Sequence, residues 1–278
     1  MSIELDEELA RHFPGDTAFD ELMACEGEKF RHVKTRRTLK FERGGKNYFI
    51  KIHRAIGWRE VWKNWLGFKR PVTSARMEWM AIDRLQALGV PTLNVVGRGI
   101  RGKAPAHEES FVVTEALEGM ISLEQLTQKW GSLSPSQCLA LKRELIRQVA
   151  TIARTIHRNG LNHRDFYLCH FLVKDRDWNE WQPADSLMLH VIDLHRMQHR
   201  PAVPERWWVK DVAGVLFSAL DCDLTRNDML RFSKIYWEGS VRELLGERQG
   251  VLQEIYRKAR KLYASIHDRQ APDPVANR

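Results

Sequence analysis

A short polar segment, Asn162-His163-Arg164-Asp165, lies between two apolar stretches and constrains what the rest of the chain can build. Before it, Leu145, Val149, Ile152 and Ile156 recur at helical spacing and stop at Asn159-Gly160, so a helix delivers the chain into the segment. After it, Cys169-His170-Phe171-Leu172 turns apolar, and a second apolar run, Val191-Ile192, ends on Asp193. A lone carboxylate at the end of an apolar strand is costly unless a cation or metal pairs with it. Two carboxylates held in this way, Asp165 and Asp193, can orient a hydroxyl and clamp magnesium on the phosphates of ATP.

His-Arg-Asp, a four-residue gap, a polar residue and a short strand form the frame of a kinase catalytic loop, and Asp193 occupies the place of its metal ligand. The upstream sequence supplies the other parts in order. Thr38-Leu39-Lys40-Phe41-Glu42 and Asn47-Tyr48-Phe49-Ile50-Lys51-Ile52-His53 alternate as strands around a Gly44-Gly45 turn, and Glu28–Val33 reads as a third strand. Ser74 to Leu88 reads as a helix, with Met77, Met80, Ala81, Leu85 and Leu88 on one face and Gly89 and Pro91 as its stop. Glu78 in that helix is the expected partner of Lys51. Two further strands end at Glu115-Ala116-Leu117-Glu118-Gly119, read as a hinge in which Glu115 and Leu117 meet the nucleotide.

The expected fold is α+β and protein-kinase-like, with two lobes: a small antiparallel β N-lobe and a mainly helical C-lobe. Residues 1–26 read as an N-terminal helical lead-in, 27–117 as the N-lobe with a Trp-rich insertion over 54–70, 118–269 as the C-lobe, and 270–278 as a flexible tail. Ser134-Pro135-Ser136-Gln137 announces the long C-lobe helix through an N-cap, a first-turn proline and a capping-box glutamine. Lys210-Asp211 is expected to start another buried helix.

Each candidate has a duller reading. Asp165 can be a loop cap, Lys51 a snorkelling edge lysine, Asp193 an ion-pair partner of Arg196 or Arg200, and Asp211 an N-cap. The catalytic reading of Asp165 gains because Lys51, Glu78 and Asp193 occur in the right order and kinds of element. Arg164 would hold the loop, and Asp211 would buttress it by accepting backbone N–H bonds.

Three features depart from protein kinases. His170 stands where a kinase places a magnesium-binding asparagine. Phe49, two residues before Lys51, would narrow an adenine slot. The first hairpin, Val33-Lys34-Thr35-Arg36-Arg37, has no glycine cluster, so either Lys34, Arg36 and Arg37 cover phosphates there or the segment is a solvated turn. His163, Cys169, His170, His190 and His195 lack the paired spacing of a zinc site.

A net charge of +8 favours an anionic partner without choosing among phosphates, acidic glycolipid and membrane. No apolar run approaches the ~18 residues a membrane span needs. The N-terminus carries no signal peptide, and Cys25, Cys138, Cys169 and Cys222 show no paired spacing, which together suggest reduced thiols in a cytoplasm. Trp58, Trp62, Trp65 and Leu66 share a helical face flanked by Arg59, Lys63, Lys69 and Arg70, the composition of an interfacial helix; packing against the N-lobe is the competing reading.

The sequence closely resembles the WaaP family, the lipopolysaccharide core heptose(I) kinases of Gram-negative bacteria. The likeness covers roughly residues 25–265 and rests on Gly45–Arg54, Ile56–Glu60, Ala75–Trp79, Asn162–Leu172, Val191–Arg196 and Lys210–Ala213. It implies ATP-dependent, magnesium-dependent phosphorylation of the first inner-core heptose at the cytoplasmic face of the inner membrane. It further implies that Asp165, with Arg164 and His170, is catalytic, Lys51 contacts phosphates and Asp193 holds the metal. His163 and Asp211 would be structural supports. The family is also linked to acylated acyl carrier protein, an acidic partner that suits a chain of charge +8.

Alternatives are a Kdo or other sugar kinase, a protein (tyrosine) kinase and a non-catalytic nucleotide-binding scaffold. Against a protein kinase, only the short stretch Leu194–Pro204 separates Asp193 from Glu205, leaving little room for a substrate-docking segment. The basic residues are dispersed and no nucleic-acid reader motif is present.

Overall fold

The computed structural model describes residues 1–33, 36–55, 57–58, 74–104 and 106–274. The chain divides into two compact units. One comprises Met1–Gln86, Leu93–Glu118 and Leu194–Arg196, and the other Ala87–Thr92, Gly119–Asp193 and Met197–Arg278.

The first unit is built on strands β1 (Ser2–Leu5), β2 (Glu28–Val33), β3 (Arg36–Arg43), β4 (Lys46–His53), β5 (Val95–Arg101) and β6 (Glu109–Glu115). They form one antiparallel sheet in the order β1-β5-β6-β4-β3-β2. Helices α1 (Glu7–His12) and α2 (Ala18–Ala24) cover one face, where Leu9, Phe19, Leu22, Leu39, Ile50 and Phe111 are buried together. Helix α3 (Arg76–Ala87) covers the other, packing Ala75 and Trp79 against Val112. The period-2 alternation of β6 assigns the faces: Phe111 and Val113 belong to the first core and Val112 to the second.

The expected helical lead-in opens instead on a strand, because Ile3 and Leu5 alternate with polar residues and add an edge to β5. Met77, expected on the inner face of α3, is exposed; Trp79 and Ile82 take that place. Lys34, Trp62, Trp65, Leu66 and the flanking Arg59, Lys63, Lys69 and Arg70 lie outside the described residues.

The second unit is mainly helical: α4 (Leu123–Gln128), α5 (Pro135–Arg158), α6 (Glu205–Ala219), α7 (Arg226–Trp237), α8 (Val241–Gly246) and α9 (Gln249–His267). The capping box at Ser134 and Gln137 opens α5, whose inner face buries Leu145, Val149, Ile152 and Ile156. Short strands hold the loops: β7 (Met120–Ser122), β9 (Phe171–Lys174) and β10 (His190–Val191) form one small sheet, and β8 (Leu161–Asn162) pairs with β11 (Gln198–His199). Helix α6 begins at Glu205 after Pro204, so Asp211 is a mid-helix residue and not its cap. The tail is anchored at its start: Ala271 packs with Leu220 and Tyr263, and Asp273 accepts the Tyr256 hydroxyl at 2.6 Å.

Candidate active site

In the sheet unit, alternation along β4 sends Tyr48, Ile50 and Ile52 into the first core, leaving Phe49 and Lys51 on the face that α3 covers. Lys51 pairs in register with Val112. Its Nζ reaches Glu78 Oε1 at 2.5 Å, with Glu78 2% and Lys51 24% exposed. A carboxylate so deeply buried requires a cation. Phe49 packs edge-on against Phe30 with ring centroids 5.1 Å apart.

The segment after β6 is tied into the same unit. Glu115 N donates to Asn94 O at 3.1 Å, Asn94 Nδ2 donates to Glu115 Oε2 at 2.6 Å, and Ala116 N donates to Asn47 O at 3.0 Å. Leu117 is half-buried.

In the helical unit, Gly160 makes the turn from α5 into β8. Its φ is +75°, and an added Cβ would lie 1.8 Å from the Arg200 carbonyl oxygen, so only glycine fits. The polar segment follows. Arg164 has φ 77° and Asp193 φ 60°, a left-handed conformation that costs a non-glycine residue on the order of 1–3 kcal/mol and persists only when surroundings enforce it. For Arg164 the enforcement is Asp211. Its buried carboxylate accepts His163 N at Oδ2 (2.6 Å) and Arg164 N at Oδ1 (2.8 Å), fixing two successive amides from a mid-helix position. The Arg164 guanidinium lies over the Trp207 ring, 5.3 Å from its centroid.

His163 is fully buried and donates Nε2–H to Ile192 O at 3.0 Å, linking the loop to the strand that precedes Asp193. Burial holds its imidazole below the ordinary range, so it is neutral. The loop closes on itself: Tyr167 N donates to Asp165 O at 3.1 Å, His170 N donates to Tyr167 O at 2.9 Å, and His170 Nδ1 meets Asp165 O at 2.7 Å. Ile192 N donates to His170 O at 3.0 Å, extending the β9–β10 pairing to the residue before Asp193. His170 Nε2 lies 3.6 Å from Asp193 Oδ2. Asp165, His170 and Asp193 are therefore mounted on one small sheet and one loop. Cys169, beside them, is driven by burial up to about 11 and stays a thiol.

The geometry thus brings Lys51 to Glu78 within one unit, and Asp165, His163, Arg164, His170, Asp193 and Asp211 together within the other. Sequence reasoning missed four supports. His157 contacts Asp211 Oδ2 (3.3 Å) and the Tyr236 hydroxyl (2.8 Å), continuing the network into α5 and α7. Ser218 accepts Leu168 N at 3.0 Å, and Gly214 lets α6 approach Phe166. The spacing of Asp211, Gly214 and Ser218 at i, i+3 and i+7 on one helix face was the available signal.

The donors suit a nucleotide-bound magnesium ion in part: Asp193 supplies the hard oxygen that ion prefers, whereas His170 supplies nitrogen. Among the described residues no three His, Cys, Asp or Glu side chains gather into a metal cage, so substrate oxygens and water would complete the coordination.

Comparison with known proteins gives the chain its place. A family model described as "Lipopolysaccharide kinase (Kdo/WaaP) family" matches residues 20–236. The chain is 45% identical over 263 residues to the lipopolysaccharide core heptose(I) kinase WaaP of Pseudomonas aeruginosa, covering 95% of this chain and 96% of that protein. It is 42% identical over 260 residues to the protein of that name from Escherichia coli K12, covering 94% and 96%. A solved structure of WaaP in complex with acyl carrier protein superposes with a TM-score of 0.79 at 41% identity, covering 95% of this chain and 100% of that one. The chain belongs to the lipopolysaccharide kinase (Kdo/WaaP) family.

Proposed function

We propose that this protein is an ATP-dependent kinase that phosphorylates a heptose hydroxyl of the lipopolysaccharide inner core. The observation that carries the reading is full-length likeness to proteins named heptose(I) kinase, in a chain whose catalytic-loop aspartate sits on a loop pinned at six points or more by hydrogen bonds. Magnesium, when bound, neutralises nucleotide phosphate charge and polarises the transferred group. The chain's own residues do the rest. Asp165 accepts a hydrogen bond from the acceptor hydroxyl, aims it and takes its proton late in the transfer. Lys51, held by Glu78, contacts phosphates; Asp193 holds the metal; Glu115 and Leu117 meet the adenine. His163 and Asp211 fix the loop backbone.

Two partners fit the same reading. An acyl carrier protein is acidic, which complements a net charge of +8. The helical unit also holds an apolar cavity of about 580 Å³, lined by Leu145, Val149, Leu168, Val212, Leu216 and Ile255, a suitable host for the carrier's acyl chain. Among the described residues no helix is long and apolar enough to cross a membrane. Peripheral attachment at the cytoplasmic face of the inner membrane brings the enzyme to its lipid-anchored acceptor, and exposed Trp58 suits such contact.

The test is phosphate transfer from ATP to purified core oligosaccharide, to Kdo-terminated acceptor and to generic protein. Mass spectrometry would locate the phosphate. Transfer to heptose, reduced at least ~10²-fold in Asp165→Asn with an unchanged circular dichroism spectrum, is the expected result. Preferential labelling of protein or Kdo, or full turnover by Asp165→Asn, would overturn the reading.

A further inference from the structure

We infer that His170 is a nitrogen ligand to the divalent cation beside Asp193, and that this makes the site favour manganese or another first-row transition ion over magnesium, relative to an all-oxygen kinase site. The inference rests on the kinase reading above.

The His170 tautomer is set by its neighbours. Asp165 O, 2.7 Å from His170 Nδ1, is a carbonyl and only accepts, so Nδ1 carries hydrogen. In a neutral ring the lone pair then lies on Nε2, the atom facing Asp193 Oδ2. This matches how proteins prepare a metal-binding histidine: the other ring nitrogen donates to a backbone carbonyl, which sets both tautomer and ring orientation.

The observed 3.6 Å between His170 Nε2 and Asp193 Oδ2 is beyond any hydrogen bond. Neighbouring donors on one octahedral cation, with metal–ligand bonds of about 2.1–2.2 Å, lie roughly 3.0–3.1 Å apart, so the two atoms need close by only about 0.5 Å to share an ion.

The His170 backbone is held on both sides, by Tyr167 O at its amide and by Ile192 N at its carbonyl. Its ring stacks on buried His163 at 5.9 Å with an 18° interplanar angle. Asp193 takes a left-handed backbone state at φ 60°. Two donors, with no cluster of three His, Cys, Asp or Glu among the described residues, describe a site that shares its ion with phosphate oxygens. An imidazole among those donors raises affinity for transition divalents more than for hard magnesium.

Manganese is paramagnetic, so ligation is read directly. Electron spin-echo spectra of the full chain with Mn2+ and ADP, prepared with and without isotopically labelled histidine nitrogen, should show a directly bound imidazole coupling that responds to the label. The coupling should vanish in His170→Asn, and the ratio of Mn2+ to Mg2+ affinity in the ADP complex should fall on the order of tenfold. Bound Mn2+·ADP without a histidine coupling in the unsubstituted chain, or a coupling or affinity ratio unchanged by His170→Asn, would overturn the inference and leave the kinase assignment standing. Failure of the unsubstituted chain to bind Mn2+·ADP at all would overturn both. Should His170→Asn not fold, the label response of the unsubstituted chain still decides.

Discussion

Lys51 and Glu78 close an ion pair at 2.5 Å between β4 and α3, and the carboxylate side of that pair is almost completely buried. Glu78 Oε2 is buried without a hydrogen-bond partner among the described residues, so Lys51 carries nearly the whole compensation for a charge in an apolar layer.

Removing the lysine alone should therefore be structurally expensive. Lys51→Met is expected to lower stability by about 1–3 kcal/mol, because it strands Glu78 as a buried carboxylate without its cation. The double variant Lys51→Met, Glu78→Leu should recover most of that stability without recovering turnover. Urea unfolding and phosphate transfer, measured on both, separate the roles. If the double variant regained activity, the pair would be structural only.

A similar contrast applies to Asp211. Its two oxygens receive the amides of His163 and Arg164, and Oδ2 also meets His157. Asp211→Ala leaves these buried donors unpaired and should cost about 3 kcal/mol or more, whereas Asp211→Asn keeps one acceptor and should cost roughly half as much. Melting temperatures of the two variants test the order. Equal, small losses would mean that Arg164 holds its left-handed backbone without this carboxylate.

Stability should also carry a histidine signature. Burial lowers the pKa of His163 and, less completely buried, of His190. Each binds fewer protons folded than unfolded, so folding is favoured as pH rises. The contribution is fully present above the unfolded value of about 6.5 and is lost as pH falls from there toward the folded values. Unfolding free energy should accordingly drop between about pH 7.5 and 5.5, and His163→Phe should flatten part of that slope. A slope of opposite sign would contradict a neutral, buried imidazole.

How far the sequence foretold this architecture differs by element. Tyr48, Ile50 and Ile52 alternate strictly with Phe49 and Lys51, so β4 and the face bearing Lys51 followed from period 2 alone. The start of α5 was legible because Ser134 and Gln137 form a capping box that needs no tertiary partner. Ser2–Leu5 was not legible, since a four-residue edge strand gains its stability from β5, nearly a hundred positions away. The left-handed φ of Arg164 was equally hidden, because arginine rarely adopts it and the Asp211 carboxylate that receives its amide lies 47 positions away. Asp211 was recognised as a support, but its helix was expected to begin there. Pro204 sets the start at Glu205, which places Asp211 two turns in, facing the loop.

Gly214 gives the sharpest test of whether that facing matters to catalysis. It lies in α6 one turn after Asp211, and a Cβ built there would sit 3.0 Å from Phe166 O and 3.1 Å from Tyr167 Cε1. Alanine would gain about 1 kcal/mol of helix propensity over glycine. Overpacking against backbone would cost about 1–3 kcal/mol, so the two effects nearly cancel in stability. They do not cancel in position, because the loop that yields contains the residue directly after Asp165. Gly214→Ala should therefore melt within a few degrees of the unsubstituted chain yet lose about tenfold or more in turnover, the penalty for a sub-ångström displacement of a positioning carboxylate. Calorimetry alongside phosphate transfer measures both. Unchanged turnover would show that the loop absorbs the methyl without moving Asp165, and would loosen the link between α6 and that carboxylate.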